Sequence, residues 1–195
     1  MRILTDKIFA GVIIGVLADI VKLTFNYLGY LLGWSNVVFW QIVATRFLPK
    51  EDLFTPYAYL IGGIADLVMT ASIAIVFLYA LDFLGKENLW LKGPGLGLFL
   101  WVVVFGTLLG QSVENKLHQD SLGILVTLVA HLIYGVAIAL FTELYYKILE
   151  KQGEAAEHPL SFVPQPARKV RIFRIKKEES LITKQKKKFI TPRKI

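Results

Sequence analysis

Apolar runs of about twenty residues recur four times along this chain, and nothing else in it constrains the fold as strongly. As a helix, a segment of that length matches the hydrocarbon thickness of a bilayer. The first run, GVIIGVLADIVKLTFNYLGYLLG (Gly11–Gly33), carries Asp19 and Lys22 at its centre. Charges at such a depth are costly, and they face a protein interior or a wet cavity rather than acyl chains. The chain therefore reads as a multi-pass membrane protein with something polar at its middle. Only 19% of its residues are charged, where a soluble domain carries roughly a quarter.

The charges are unevenly placed. Residues 151–195 hold 13 Lys/Arg and 4 Asp/Glu, leaving 9 and 11 for residues 1–150. A near-neutral membrane domain over 1–150 is followed by a basic tail over 151–195. There is no Cys, which excludes disulfides, thiolate metal sites and a Cys nucleophile. The first run is too long for a signal peptide, has charges at its centre and lacks a small-x-small cleavage site.

The spans are expected at about 8–32, 57–81, 96–113 and 122–146. In the first, Gly15, Asp19, Lys22, Asn26, Gly29 and Gly33 are spaced by three or four residues and share one face. Trp34–Leu48 is too short to span and carries Trp34, Trp40 and Arg46, so it reads as an interfacial helix over about 34–48. A re-entrant segment is the other reading of it. Thr55-Pro56 supplies a cap and a first-turn proline for the second span. Gly62, Asp66, Thr70 and Ala74 form its small and polar stripe. Asp82–Lys92 reads as a loop and Gly93-Pro94-Gly95 as a turn. Gly106 and Gly110 form a GxxxG in the third span, which permits close helix approach. Asp120-Ser121 can cap the fourth, whose stripe is Thr127, His131, Gly135, Ala139 and Glu143. The helix-packing glycines are thus Gly15, Gly62, Gly106, Gly110 and Gly135. IGVLADIV (Ile14–Val21) and IGGIADLV (Ile61–Val68) echo one another and align Asp19 with Asp66. Chance similarity between two apolar helices accounts for the echo equally well.

Orientation follows from basic residues in the connections. The N-terminal end, the loop between spans two and three, and the tail carry 2, 2 and 13 Lys/Arg, against 3 on the other side. Both termini are expected in the cytoplasm, with the chain in the cell (inner) membrane.

Depth can be counted from the outer helix ends. Lys22 is ten residues from Leu32, Asp66 nine from Tyr57 and His131 nine from Leu122. At about 1.5 Å per residue all three lie roughly 14 Å deep, with Asp19 one turn deeper. The expectation is an intramembrane cluster of Asp19, Lys22, Asp66 and His131. Two carboxylates and one ammonium leave a negative charge unless a proton is held, on His131 or on one Asp. Two readings follow. The cluster handles protons or cations, or floors a small ligand pocket; or Lys22 and Asp66 are a satisfied ion pair that fixes helix register.

In the tail, Arg168, Lys169, Arg171, Arg174, Lys176 and Lys177 alternate with Val170, Ile172, Phe173 and Ile175, and Lys186, Lys187 and Lys188 follow. Such clusters are drawn to anionic headgroups, by about 1 kcal/mol per residue at the surface. A disordered tail that only sets topology is the plainer reading. No DNA- or RNA-binding motif accompanies the charge, so nucleic acid is not expected. No HExxH, GxSxG or phosphate-binding loop is present, and no cofactor or metal is expected.

Leu89-Trp90 with Gly93, then Gly97, Leu100-Trp101 with Val104-Phe105, and His131-Leu132-Ile133-Tyr134-Gly135 resemble small uncharacterised bacterial membrane proteins of the YqhR-like and YagU-like kind. The resemblance implies a bacterial inner membrane protein of unknown activity and does not extend to the tail. The expected fold is all-α: an integral membrane four-helix bundle with one interfacial helix and a basic, largely disordered cytoplasmic tail. The expected function is non-enzymatic, an interaction or structural component of the membrane, with a second copy or another membrane protein as partner. The alternative is a small proton- or cation-coupled transporter or channel subunit.

Overall fold

The computed structural model describes residues 6–157, with side chains through residue 152. The tail residues Arg168–Lys188 singled out above lie outside the described residues. Four helices in it are long and apolar enough to cross a membrane: Lys7–Leu31, Pro56–Leu84, Leu89–Lys116 and Ser121–Gln152. The described residues are helical or in short connections throughout. The protein is an all-α membrane protein.

Helix α1 (Lys7–Leu31) starts on Asp6, whose carboxylate accepts from the Ile8 amide at 2.8 Å. It stops where Gly33 takes φ +74°. The Trp34 amide then donates to the Gly29 carbonyl and the Gly33 amide to that of Tyr30. This pair of bonds is a Schellman stop, and it satisfies carbonyls that a helix end leaves open. Helix α2 (Phe39–Ala44) is short. Helix α3 (Pro56–Leu84) follows a 3-10 turn at Lys50–Asp52. Thr55 sits at its N-cap position, but its hydroxyl donates to the Asp52 carbonyl instead. Helix α4 (Leu89–Leu100) runs on as a π-helix over Trp101–Leu109 and then as α5 (Gly110–Lys116), making one continuous span. Helix α6 (Ser121–Glu157) is capped by Asp120, which accepts from the Gly123 amide at 2.8 Å.

The spanning helices form an open row, α3 on α1, α1 on α6 and α6 on α4. Among the described residues α3 and α4 have no comparable contact. Backbone approach explains the order. A Cβ on Gly15 would come within 2.6 Å of the α3 backbone at Thr70 and Ala71. Gly135 lies directly on the Gly93 backbone of α4, and Gly62 on the Trp40 carbonyl of α2. Large apolar residues such as Leu17, Val68, Phe99 and Leu125 cover the outside, as lipid contact requires.

Several boundaries differ from the sequence reading. The helix expected over 34–48 shrinks to Phe39–Ala44, and Phe39, Ile42, Val43 and Ala44 are buried in protein. Its Trp40 carbonyl sits on Gly62 of α3, where the missing Cβ leaves room for its backbone. Gly93-Pro94-Gly95 is helical, not a turn. Pro94 removes one helical bond, while Gly93 and Gly97 let α4 close onto α6. The third span therefore covers 89–116, not 96–113, and α6 continues past 146 and through the boundary placed at 150. Among the described residues Gly106 and Gly110 meet no other helix; a Cβ there would touch only carbonyls of their own span, 3.7 Å and 3.9 Å away. The π winding bonds i to i+5. Within it Phe105 and Leu109 are buried, while Gly106 is exposed and Gly110, just after it, is half-buried.

Candidate functional site

Three of the four charged or titratable residues expected to meet do so directly. Lys22 of α1 is 2% exposed, and its Nζ donates to Asp66 Oδ1 of α3 at 2.7 Å. Asp19 Oδ1, three residues earlier on α1, lies 2.7 Å from the same ammonium. That second contact is an ion pair poorly aligned for a hydrogen bond, and neither Asp19 oxygen has a hydrogen-bond partner among the described residues. One ammonium thus serves two carboxylates from two helices. Its surroundings are aromatic: the Phe39 ring centroid is 4.4 Å from Nζ and that of Tyr134 is 5.6 Å away. Rings at this range contribute to holding a desolvated cation.

His131 stands beside this triad without bonding to it. Its Nδ1 is 2.8 Å from the Thr127 carbonyl one turn back on α6. A carbonyl only accepts, so Nδ1 carries the proton in that bond. The ring meets Phe39 edge-on at 5.5 Å and Phe105 at 6.3 Å. Within the expected cluster of Asp19, Lys22, Asp66 and His131, the first three form a bonded triad and His131 stands beside it. The reason is geometric: local bonding to Thr127 and two aromatic faces fix the imidazole.

Side chains around the triad fix it from every side. Asn26 accepts from the Phe39 amide at 2.9 Å, which satisfies the first turn of α2 and sets Phe39 over Lys22. Lys116 reaches back from α5 to the Thr45 and Leu48 carbonyls at the other end of α2. The Tyr134 hydroxyl donates to the Thr70 carbonyl at 2.8 Å, tying α6 to the turn of α3 that follows Asp66. Trp101 Nε1 donates to Thr127 Oγ1 at 3.2 Å and ties the π segment to α6. Sequence reasoning missed Tyr134, although it falls three residues after His131. It also missed Phe39, for which a short apolar helix gives no signal.

Between α3 and the π segment, where the row of helices stays open, lies a cavity of about 480 Å³. That size suits a small ligand. Its walls are apolar, with Ala65 and Met69 on α3 and Val104 and Leu109 opposite. At its floor are Lys22, Asp66, His131 and Tyr134, and Arg46 and Phe47 line it beyond α2. Met69 and Val68 are themselves exposed, so the cavity borders the apolar outer surface of the helices.

Comparison of the chain with family models, with characterised proteins and with solved structures finds no match. The site is therefore read from its own chemistry.

Proposed function

We propose that this membrane protein binds a small lipid-soluble molecule, which enters from the bilayer through the gap between α3 and the π segment. The supporting observation is the cavity of about 480 Å³ that reaches the Lys22–Asp66 pair. A pair serving only to fix helix register needs no such space beside it. Apolar walls with a few convergent polar groups are the usual make-up of a small-molecule site. The molecule needs no aqueous route, since the cavity borders the apolar outer surface. This remains a non-enzymatic, interaction-based role. The distribution of Lys/Arg supports both termini in the cytoplasm, in a cell membrane of the kind that the resemblance to YqhR-like and YagU-like proteins implies.

The test is photolabelling in nanodiscs with a simple alkyl diazirine. Labelling of lipid-facing residues rises without saturating. Labelling at Phe105 and Leu109, which are buried and line the cavity, is expected to saturate and to be lost in Ala65→Trp, which fills the space beside Asp66. Equal, unsaturable labelling of all faces would sink the reading. A second reading, proton- or cation-coupled transport, draws on Asp66, whose Oδ2 has no partner among the described residues although the residue lines the cavity. In proteoliposomes it requires a cation flux that Asp66→Asn stops.

A further inference from the structure

We infer that the ligand carries a neutral hydroxyl head, and that this hydroxyl donates to the cavity floor. The inference rests on the binding function proposed above and narrows it to a chemical class. It comes from counting which hydrogen-bonding capacity on the floor is already used.

The donors on the floor are already directed at other groups, Arg46 beyond α2 lying outside this count. The Lys22 ammonium donates to Asp66, is ion-paired with Asp19 at 2.7 Å and faces the Phe39 ring at 4.4 Å. The His131 Nδ1 proton goes to the Thr127 carbonyl. The Tyr134 hydroxyl proton goes to the Thr70 carbonyl. What is left over accepts. Asp66 Oδ2 is sealed from the cavity and has no partner among the described residues. His131 Nε2 has none among the described residues, and with the proton on Nδ1 it offers a lone pair. Tyr134 Oη keeps its lone pairs as well. A complementary head must bring a proton to share. A ketone, an ester or an ether has none.

Charge decides among donors. Arg46 is exposed, so the buried charges are Lys22 against Asp19 and Asp66. A phosphate would add a further anion there, and an ammonium would have to shed its water on entering a site of low dielectric. A hydroxyl donates without adding charge. The walls, Ala65, Met69, Val104 and Leu109 among them, take the apolar body. The fit is to a long-chain or branched alcohol.

The experiment uses the full chain in nanodiscs. A dodecanol analogue with a diazirine in its chain is the probe, read as labelling of α3 and the π segment. Competitors share one chain and differ only in the head: dodecanol, dodecyl methyl ether, dodecylamine and dodecyl phosphate, each at matched membrane concentration. Dodecanol is expected to compete about tenfold better than the ether, the effect of a buried acceptor left without a donor. It should also outcompete the amine and the phosphate. His131→Phe keeps a ring between Phe39 and Phe105 and removes the Nε2 lone pair, so it should shrink the alcohol-over-ether ratio while labelling persists. Equal competition by alcohol and ether overturns the hydroxyl inference and leaves the cavity function standing. A preference for amine or phosphate overturns the head class. Absence of saturable labelling by this probe and by the plain alkyl diazirine alike overturns the binding function itself.

Discussion

Replacing Lys22 with Leu should cost the bundle much of its stability. The single ammonium between Asp19 and Asp66, 2.7 Å from each, would be gone, leaving two buried carboxylates facing one another. Removing one partner from a buried ion pair costs about 3–5 kcal/mol. Here two anions lose the same partner, so the upper end of that range is expected, against a total stability of about 5–15 kcal/mol. The measurement is the SDS-induced unfolding of the protein in mixed micelles, followed by tryptophan fluorescence. Asp19→Leu, Lys22→Leu and Asp66→Leu together should recover most of the loss, because groups that share one partner are strongly non-additive. If Lys22→Leu alone unfolds at the wild-type midpoint, the triad does not hold the helices together.

The next largest effect is expected at Gly135. A side chain there runs into the Gly93 backbone and Pro94 Cα of α4. Backbone cannot turn away as a rotamer can. Overpacking typically costs about 1–3 kcal/mol and occasionally more, and Gly135→Leu belongs at the high end, since α4 must lift off α6 to admit it. Gly106→Leu and Gly110→Leu are the controls. A Cβ at either position has only carbonyls of its own span near it, so both changes should stay within about 0.5 kcal/mol of wild type. The same unfolding assay separates them. A loss at Gly106 as large as that at Gly135 would place a helix contact where the structure has none.

The sequence carried the helices better than the site. Spans are legible because a membrane imposes length and apolarity on each helix independently, as in Lys7–Leu31 and Pro56–Leu84. Asp19, Lys22 and Asp66 were legible for the same reason, since charges in such helices must turn inward and find one another. Where neighbours decide, the reading failed. Pro94 is helical because Gly93 and Gly97 dock α4 on α6, a gain that no local turn preference registers. The π winding of Trp101–Leu109 leaves Gly106 exposed and Gly110 half-buried, with no other helix among the described residues against either, and periodicity counted in α-helical steps cannot anticipate it. Phe39 reaches Lys22 only because α2 fits against Gly62 and is anchored by Asn26. The cavity belongs to no residue at all; it is a gap between two elements.

The order of helices in space has a consequence for biogenesis. Helices α3 and α4 are joined by a short connection, yet each packs on a different neighbour, α1 and α6 respectively. As the chain is threaded into the bilayer, α1 and α3 can pair at once. Helix α4 must wait in lipid, unpartnered, with Gly93 and Gly97 facing acyl chains until α6 emerges. Among the described spans the last one made closes both halves, since α6 touches α1 on one side and α4 on the other. A chain that stalls before α6 is complete would leave a settled hairpin and one stranded helix, an obvious mark for quality-control proteases.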